Sequence, residues 1–94
     1  MKYIKVKWLH TSLDSPTLLY SELNSDLWEV RKVEAYADGR TDFADREEHS
    51  GSTKLGIEPL PPLEQIAADP EFEPVIISAE EFESVWQHAK SQLR

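Results

Sequence analysis

The sequence predicts an α+β fold: an antiparallel sheet of four to five strands arranged as a meander of hairpins, with a C-terminal amphipathic helix packed on one face and a short helix before it. Three observations lead to this fold class. Residues 27–45 read as two strands joined by a turn at Asp38-Gly39, where glycine supplies the positive φ of a tight hairpin turn. Residues 3–10 alternate apolar and polar side chains, as a half-buried strand does. Residues 78–94 place apolar side chains at helical spacing.

The strands are predicted from alternation and from the turns between them. They span residues 3–10, 17–23, 27–37 and 41–44, and a fifth is a candidate at 75–77. In the third strand, Trp28 and Val30 share a parity that Val33 does not. We therefore predict a bulge near Arg31-Lys32, since one inserted residue would bring all three apolar side chains onto the core face.

The region between the fourth strand and the last helix is expected to be mostly irregular. Residues 46–53 read as a polar loop, and residues 55–57 are a candidate edge segment. A short helix is predicted from Pro62, as its first residue, to about Ala68. It ends at Asp69-Pro70 because a residue before proline avoids the helical conformation.

The last helix has the clearest start signal in the chain. Ser78 is the predicted N-cap, with Glu81 completing a capping box and Ile77 and Phe82 forming a hydrophobic staple. Its apolar stripe continues with four further residues: Val85, Trp86, Ala89 and Leu93. We expect this stripe to cover the sheet face that bears Ile4, Val6 and Trp8.

Length and composition exclude several classes of protein. Ninety-four residues suit one domain, so residues 1–94 are predicted as a single domain. With no cysteine, the chain has neither a disulfide framework nor a thiolate metal site. No apolar run approaches the roughly 20 residues of a membrane helix, and the N-terminal residues alternate instead of forming a signal sequence. We therefore expect a cytoplasmic location and no membrane contact.

The net charge of −8 is unevenly distributed along the chain. Residues 55–94 carry eight acidic and two basic side chains, whereas residues 1–54 are nearly balanced. A surface of this sign disfavours nucleic acid, whose phosphates require a basic face. It would attract a cationic protein partner and speed its association.

Four basic residues are expected on the open face of the sheet: Lys5, Lys7, Arg31 and Lys32. Open sheet faces of this kind can bind RNA, but the usual pair of stacking aromatic residues is missing and the net charge opposes it. Cross-strand pairing with Glu22, Glu29 and Glu34 is the simpler expectation.

No residue carries a catalytic signature. His10, His49 and His88 have no second ligand at metal-binding spacing, so no metal site is predicted. A nucleophile elbow and a glycine-rich phosphate loop are both missing, so we expect no cofactor and no enzymatic activity.

An acidic cluster around the end of the predicted hairpin is the candidate partner-binding site. It comprises Asp38, Asp42, Asp45, Glu47 and Glu48. Their irregular spacing in a polar loop suits neither catalysis nor calcium binding, and contact with a basic partner fits better.

Several stretches of the chain carry a resemblance to one family. They are the opening YIKVKWLH, then LYSELNSDLWEVRKVEAYADGR, LEQIAADPEFEP and ISAEEFESVW. With them the chain resembles a family of small uncharacterised bacterial domains, DUF6881, over roughly residues 3–86. The resemblance implies a shared fold and transfers no residue role. It also suggests a context, because compact acidic proteins of this kind are often immunity proteins encoded beside toxins.

The first functional hypothesis is accordingly a small acidic binding protein, an immunity protein that neutralises a basic nuclease toxin by occlusion. The alternatives are a small enzyme or ligand-binding domain with an unrecognised site, and a housekeeping interaction protein. A deep pocket with convergent polar groups would favour the ligand-binding alternative, and a flat acidic face would favour the immunity protein. The sequence leaves the oligomeric state open.

Overall fold

The computed structural model describes residues 1–92 and has the predicted α+β fold. Its elements are β1 (Lys2–Trp8), β2 (Leu18–Leu23), β3 (Glu29–Ala35), β4 (Thr41–Ala44), α1 (Leu63–Ala67), β5 (Phe72–Ile76) and α2 (Ala79–Ser91). The predicted stripe residue Leu93 lies outside the described residues.

The five strands form one antiparallel sheet in the order β4-β3-β2-β1-β5. The first four strands are the predicted meander, and β5 returns to the free edge of β1. The fifth strand is thus confirmed, but it begins at Phe72 and includes Pro74. Residues 45–62, the crossing segment, lead from β4 to α1, which contacts β5 at the other side of the sheet.

The sheet has two covered faces, and α2 lies on the one opposite to that predicted. Tyr3 packs on Phe82 of α2, with ring centroids 5.5 Å apart, and Lys5 pairs with Glu81. Ile4 and Val6 point the other way, into a cluster that includes side chains of α1. The expected packing of α2 on the Ile4 face is therefore wrong. Alternation along β1 predicts that Lys5 is exposed, and its side chain is 33% exposed and pairs with Glu81 in the first turn of α2.

We call these surfaces the α2 face and the α1 face. The α2 face bears Tyr3, Tyr20, Arg31, Val33 and Phe43, and the α1 face bears Ile4, Val6, Leu19, Ser21 and Lys32. The four basic residues expected on one open face are consequently divided. Lys32 lies on the α1 face, and Lys5, Lys7 and Arg31 lie on the side covered by α2.

The predicted irregularity in β3 is present, one residue before Arg31. Glu22 pairs with Arg31 while Leu23 pairs with Glu29, so Val30 is the extra residue. The predicted consequence is wrong, because Val33 is fully buried but Trp28 is 41% exposed. The shift of register instead places Glu29 on the α1 face together with Lys32.

The start of α2 follows the predicted capping pattern in part. The Ser78 side chain accepts a hydrogen bond from the Glu81 backbone N–H at 3.0 Å. The Glu81 carboxylate does not return to the cap and instead pairs with Lys5 at 3.5 Å. Ile77 and Phe82 are both buried in one cluster, as the hydrophobic staple requires.

Both outer strands are protected against pairing with another chain. Glu71 and Ile77, on either side of β5, form backbone hydrogen bonds with the β1 side. In this register the odd-numbered residues of β5 bond to β1, so the backbone N–H and C=O groups of the even-numbered residues point away from the sheet. Pro74 stands at such a position and offers no N–H donor there. On the opposite edge, both backbone groups of Phe43 bond to Ser50. Strand addition is therefore an unfavourable way for a partner to dock.

The connection between β4 and β5 differs from the predictions in detail. Residues 55–57 form no strand, and Ile57 is 88% exposed. Pro62 is the N-cap of α1 and not its first helical residue. Within residues 1–92, no helix combines the length and the apolar character that a membrane span needs.

Candidate functional site

A pocket of about 380 Å³ lies between the α1 face of the sheet and the chain that crosses it. The sheet contributes the apolar side chains of Ile4, Val6 and Leu19. Phe72 of β5 belongs to the same wall, and the opposite wall is formed by residues before, within and after α1: Leu60, Pro61, Gln65, Ile66 and Asp69. The volume falls at the lower end of the range of roughly 300–1,000 Å³ in which small-molecule sites are found.

A row of polar side chains crosses this otherwise apolar pocket. Glu29, Lys32 and Glu34 come from β3, and Ser21 comes from the neighbouring β2. In a regular strand, residues 29 and 32 would lie on opposite faces. The extra residue Val30 brings Glu29 onto the face of Lys32 and Glu34. The irregularity in β3 is therefore what assembles the row.

Glu29 is the most constrained member of the row. Its Oε2 accepts a hydrogen bond from the Ser21 hydroxyl at 3.0 Å, and its Oε1 accepts one from the Gly56 N–H at 2.7 Å. The ammonium of Lys32 stands 3.3 Å from the same Oε1 and donates to the Lys54 carbonyl oxygen at 3.0 Å. With only 6% of its side chain exposed, Glu29 is held in one orientation.

Glu34 and Thr53 make a second tie between the sheet and the crossing segment. The Thr53 hydroxyl donates to Glu34 Oε1 at 2.5 Å, and Thr53 is only 2% exposed. Among the residues that the structure describes, every buried side-chain nitrogen or oxygen has a hydrogen-bond partner. The polar row is thus a satisfied network and is fixed before any ligand arrives.

The charges around the pocket do not cancel. Glu29, Glu34 and Asp69 carry negative charge, and Lys32 is the one cation among the lining residues. Lys32 lies against Glu29. Within residues 1–92, neither Glu34 nor Asp69 forms an ion pair. The pocket is therefore apolar on its walls and negative at two positions.

The α2 face holds a different charged cluster, built around Arg31. Its guanidinium donates to both oxygens of Glu22, at 2.6 and 3.1 Å, and to Glu83 at 3.0 Å. It also lies 5.0 Å from the ring centre of Phe82 and 4.9 Å from that of Trp86. Through these contacts Arg31 holds the sheet against α2, and we call the cluster the clamp.

The pKa shifts in this cluster follow from its hydrogen bonds. Glu22 is the main cause of the raised pKa of Arg31, which keeps the guanidinium charged. Arg31 in turn holds the pKa of Glu83 below its ordinary value. A hydrogen bond to Glu22 is the main reason that the pKa of Tyr3 is raised.

The five predicted partner-binding residues lie within β4 and beyond both of its ends. Asp38 lies in the turn before β4, whereas Asp45, Glu47 and Glu48 follow the other end of that strand. Four strand residues at about 3.3 Å each separate the two groups by roughly 13 Å. Asp42 lies within β4 and accepts a hydrogen bond from the Ser50 hydroxyl at 3.0 Å.

Most of these carboxylates stabilise local structure. Asp38 accepts the Arg40 N–H at 2.9 Å, and Asp45 accepts the N–H groups of Glu47 and Glu48, both at 2.8 Å. Burial raises the pKa of Asp45, but these two N–H groups outweigh it and hold the pKa below its ordinary value.

The remaining two residues of the predicted set point to solvent. Glu48 pairs with Lys90 at 2.7 Å and raises its pKa. The Glu47 side chain has no hydrogen-bonding or ionic partner in the described part of the chain. Of the five carboxylates, Glu47 is therefore the one most available to a partner.

The three histidines are likewise far from forming a site. His10 bonds to the Pro16 carbonyl oxygen at 2.7 Å, and His88 contacts Gln92. His49 bridges to Ala44 through its backbone. In residues 1–92, no three His, Asp or Glu side chains are arranged to hold a metal ion.

Comparison with known families identifies the chain. A family model described as "Domain of unknown function (DUF6881)" matches residues 2–91. The chain belongs to this family. The comparison with curated proteins gave no match, and neither did the comparison with solved structures.

The pocket residues were not predicted as a site from the sequence. Glu29, Lys32 and Glu34 were predicted only to make cross-strand pairs, and Ser21 carried no signal. The one available clue was the suspected bulge in β3, since an inserted residue changes which charged side chains share a face. The crossing segment, which closes the pocket, has no period from which its position could be inferred.

Proposed function

We propose that this domain binds a small ligand in the pocket between the α1 face of the sheet and the segment around α1. The observation that supports this proposal is the pocket itself, with apolar walls and a fixed polar row within one cavity of about 380 Å³. Ligand sites combine apolar area for affinity with a few oriented polar groups for specificity. This arrangement favours the ligand-binding alternative over a flat acidic contact face.

The fixed geometry of the polar row supports recognition of one ligand class. Ser21 and Gly56 donate hydrogen bonds to Glu29 and Lys32 forms an ion pair with it, so a ligand meets groups whose orientation is already determined. Preorganisation of this kind lowers the entropy lost on binding. The apolar walls would supply roughly 25 cal/mol for each Å² of apolar ligand surface removed from water.

The test is to fill the pocket. Leu19 lines the pocket, whereas Leu13 lies in the β1–β2 turn and is 84% exposed. We expect Leu19→Trp to weaken the binding of pocket-directed fragments at least ~10-fold, which corresponds to about 1.4 kcal/mol. Leu13→Trp is the matched control and should bind as the wild type does. The measurement is an amide chemical-shift titration with a library of apolar fragments carrying one polar group.

Two results would overturn the proposal. One is that no fragment perturbs the amides of the pocket residues in the wild-type chain. The other is that Leu19→Trp binds them as tightly as Leu13→Trp does. If Leu19→Trp fails to fold, Ile66→Trp on α1 fills the same pocket from its partly exposed wall.

A second candidate function is the acidic binding protein, an immunity protein that occludes a cationic toxin domain. Its support is a set of exposed carboxylates on the two helices and the crossing segment. Glu64 of α1 and Glu80 of α2 have no ionic partner within the described residues, and Glu58 precedes them in the crossing segment. Unpaired charge of one sign accelerates association with a partner of opposite sign.

This candidate is tested by charge reversal against the product of a neighbouring gene. If the partner contacts the predicted cluster, the double change Asp42→Lys and Glu47→Lys should slow association at least ~10-fold at low salt. Separate reversal at Glu64 and at Glu80 is the matched comparison, and a larger effect of one of them locates the contact at α1 or at α2. Association rates that depend neither on salt nor on any of these carboxylates would contradict the candidate.

A further inference from the structure

We propose that the ligand of the pocket is a small amphipathic organic cation, with one protonated nitrogen and an apolar ring or short alkyl chain. This inference rests on the proposed function, because it names the chemical class that the same pocket would accept. Three properties of the pocket lead to it: its uncompensated charge, its spare hydrogen-bonding capacity and its apolar walls.

The charge of the pocket favours a cation. The one lining ammonium, on Lys32, is 3.3 Å from Glu29 and partly neutralised by it. Glu34 and Asp69 are left without an ionic partner in the described part of the chain. An anionic ligand would be repelled by these two carboxylates, of which Glu34 is half-buried and Asp69 is exposed.

The spare hydrogen-bonding capacity is that of acceptors. Thr53 occupies Oε1 of Glu34, and the Glu71 N–H occupies Oδ1 of Asp69, so one oxygen of each carboxylate has no partner among the described residues. The ammonium of Lys32 donates to the Lys54 carbonyl oxygen and lies 3.3 Å from Glu29, so it is held away from the two open carboxylate oxygens. A protonated nitrogen donates and does not accept, and it therefore matches what remains open.

The apolar walls determine the rest of the ligand. On the sheet side the hydrocarbon surface comes mainly from Leu19 and from Phe72 of β5, which are half-buried, whereas Ile4 and Val6 are only 1% and 6% exposed. Ile66 of α1 faces this surface from the covering side. A ligand that is all charge would leave this surface uncovered, whereas a ring or alkyl chain next to the ammonium would bury it.

The experiment uses three probes that share a ring and differ in the head group: 2-phenylethylamine, 2-phenylethanol and 3-phenylpropionate. Each is titrated into the full chain at neutral pH and low salt, and amide chemical shifts report the dissociation constant and the site. We expect the amine to bind at least ~10-fold more tightly than the carboxylate, a difference of about 1.4 kcal/mol. The alcohol should fall between the two.

Variants at the two unpaired carboxylates identify the groups responsible. Glu34→Gln and Asp69→Asn each keep an oxygen that accepts the existing hydrogen bond, so the fold should persist. Each should weaken the amine several-fold and leave the affinity of the alcohol unchanged. Glu58→Gln is the control, since Glu58 is exposed and does not line the pocket.

The outcomes separate this inference from the proposed function. Equal binding of the three probes, or tighter binding of the carboxylate, would overturn the cation and leave the pocket as a ligand site. Binding of neutral fragments but not of the amine would do the same. If neither these probes nor any library fragment perturbs the pocket amides, the proposed function fails together with this inference.

Discussion

The two faces of the sheet are closed by different means. On the α2 face, aromatic rings fill the space, with Phe82 fully buried and Trp86 5% exposed. On the α1 face, the covering chain is tied to the sheet by hydrogen bonds from Thr53 and Gly56, and a cavity remains beneath it. Dense packing gives a face stability, whereas polar ties hold a cover in place without filling the space below it.

One local feature of β3 links the two faces. The extra residue Val30 allows Arg31 to point towards α2 while Glu29 points into the pocket row with Lys32. Because the bulge takes up Val30, Glu29 and Arg31 lie on opposite faces of the sheet, one in the polar row and the other in the clamp.

Deleting single residues of β3 should test the register assigned to that strand. The two deletions compared are those of Val30 and of Lys32. Without Val30 the strand becomes regular, and Glu29 and Arg31 keep their faces, so we expect a loss of only about 1 kcal/mol. Without Lys32, either Arg31 moves to the α1 face or the upstream pairing must shift. We expect that deletion to cost about 5 kcal/mol, a large part of the stability of a typical domain. Urea unfolding measures both, and equal losses would contradict the assigned register.

Removing one phenylalanine from each face should show which face carries the stability. Phe82 of α2 is fully buried against the sheet, and Phe72 of β5 is half-buried in the wall of the pocket. We expect Phe82→Ala to lower the free energy of unfolding by about 4 kcal/mol, because it leaves a cavity in the packed core. Phe72→Ala should cost about half as much. The contrast between the faces is wrong if the order is reversed in chemical denaturation.

Removing the Thr53–Glu34 hydrogen bond should destabilise the crossing segment locally. Thr53→Val removes the donor to Glu34 and leaves a carboxylate without that partner. We expect a loss of about 1–2 kcal/mol. Amide exchange should accelerate in residues 50–58 and remain unchanged in α2. Thr41→Val, at the first residue of β4, is the control, because it removes a hydroxyl bond to Gln92 at the end of α2 and leaves residues 50–58 untouched. Uniform acceleration throughout the chain in Thr53→Val would show that the cover is not a separate unit.

The Arg31–Glu83 pair on the α2 face should make a small contribution to the pH dependence of the stability. Because Arg31 lowers the pKa of Glu83 in the folded chain, the pair stabilises the fold above the ordinary pKa of glutamate. That stability is lost as the pH falls through the folded-state pKa. For this partly exposed pair we expect about 0.5 kcal/mol. Glu83→Gln should remove that part of the pH dependence, and Glu80→Gln should retain it in thermal unfolding followed from neutral to acidic pH.

The sequence was sufficient for much of the fold because its local signals agree. Period-2 alternation placed β1, flanking turns bounded β2, Gly39 with its φ of 92° marked the β3–β4 turn, and Ser78 marked the start of α2. Each signal lies within a few neighbouring residues, where backbone sterics and capping act directly. The family was also recognisable at this level, and its model matches residues 2–91.

The candidate site required contacts between residues distant in the sequence. The acidic loop was predicted from composition, but Asp38 and Asp45 bond to nearby backbone groups, and a carboxylate count does not reveal that use. The pocket depends on where the crossing segment lies, and Gly56 meets Glu29 across 27 positions of the chain. Nothing local in either stretch specifies that contact.

The sequence by itself therefore determined the elements, their antiparallel order as far as β4 and the presence of an irregularity beside Arg31. The tertiary structure alone decided which face α2 covers, because both faces of β1 can be covered. One face is apolar, and the other carries long amphipathic side chains that can pack under a helix. The tertiary structure also decided that Glu29, Lys32 and Glu34 share a cavity. Local sterics act over a few residues, whereas the pocket arises only when β2, β3 and the segment around α1 meet.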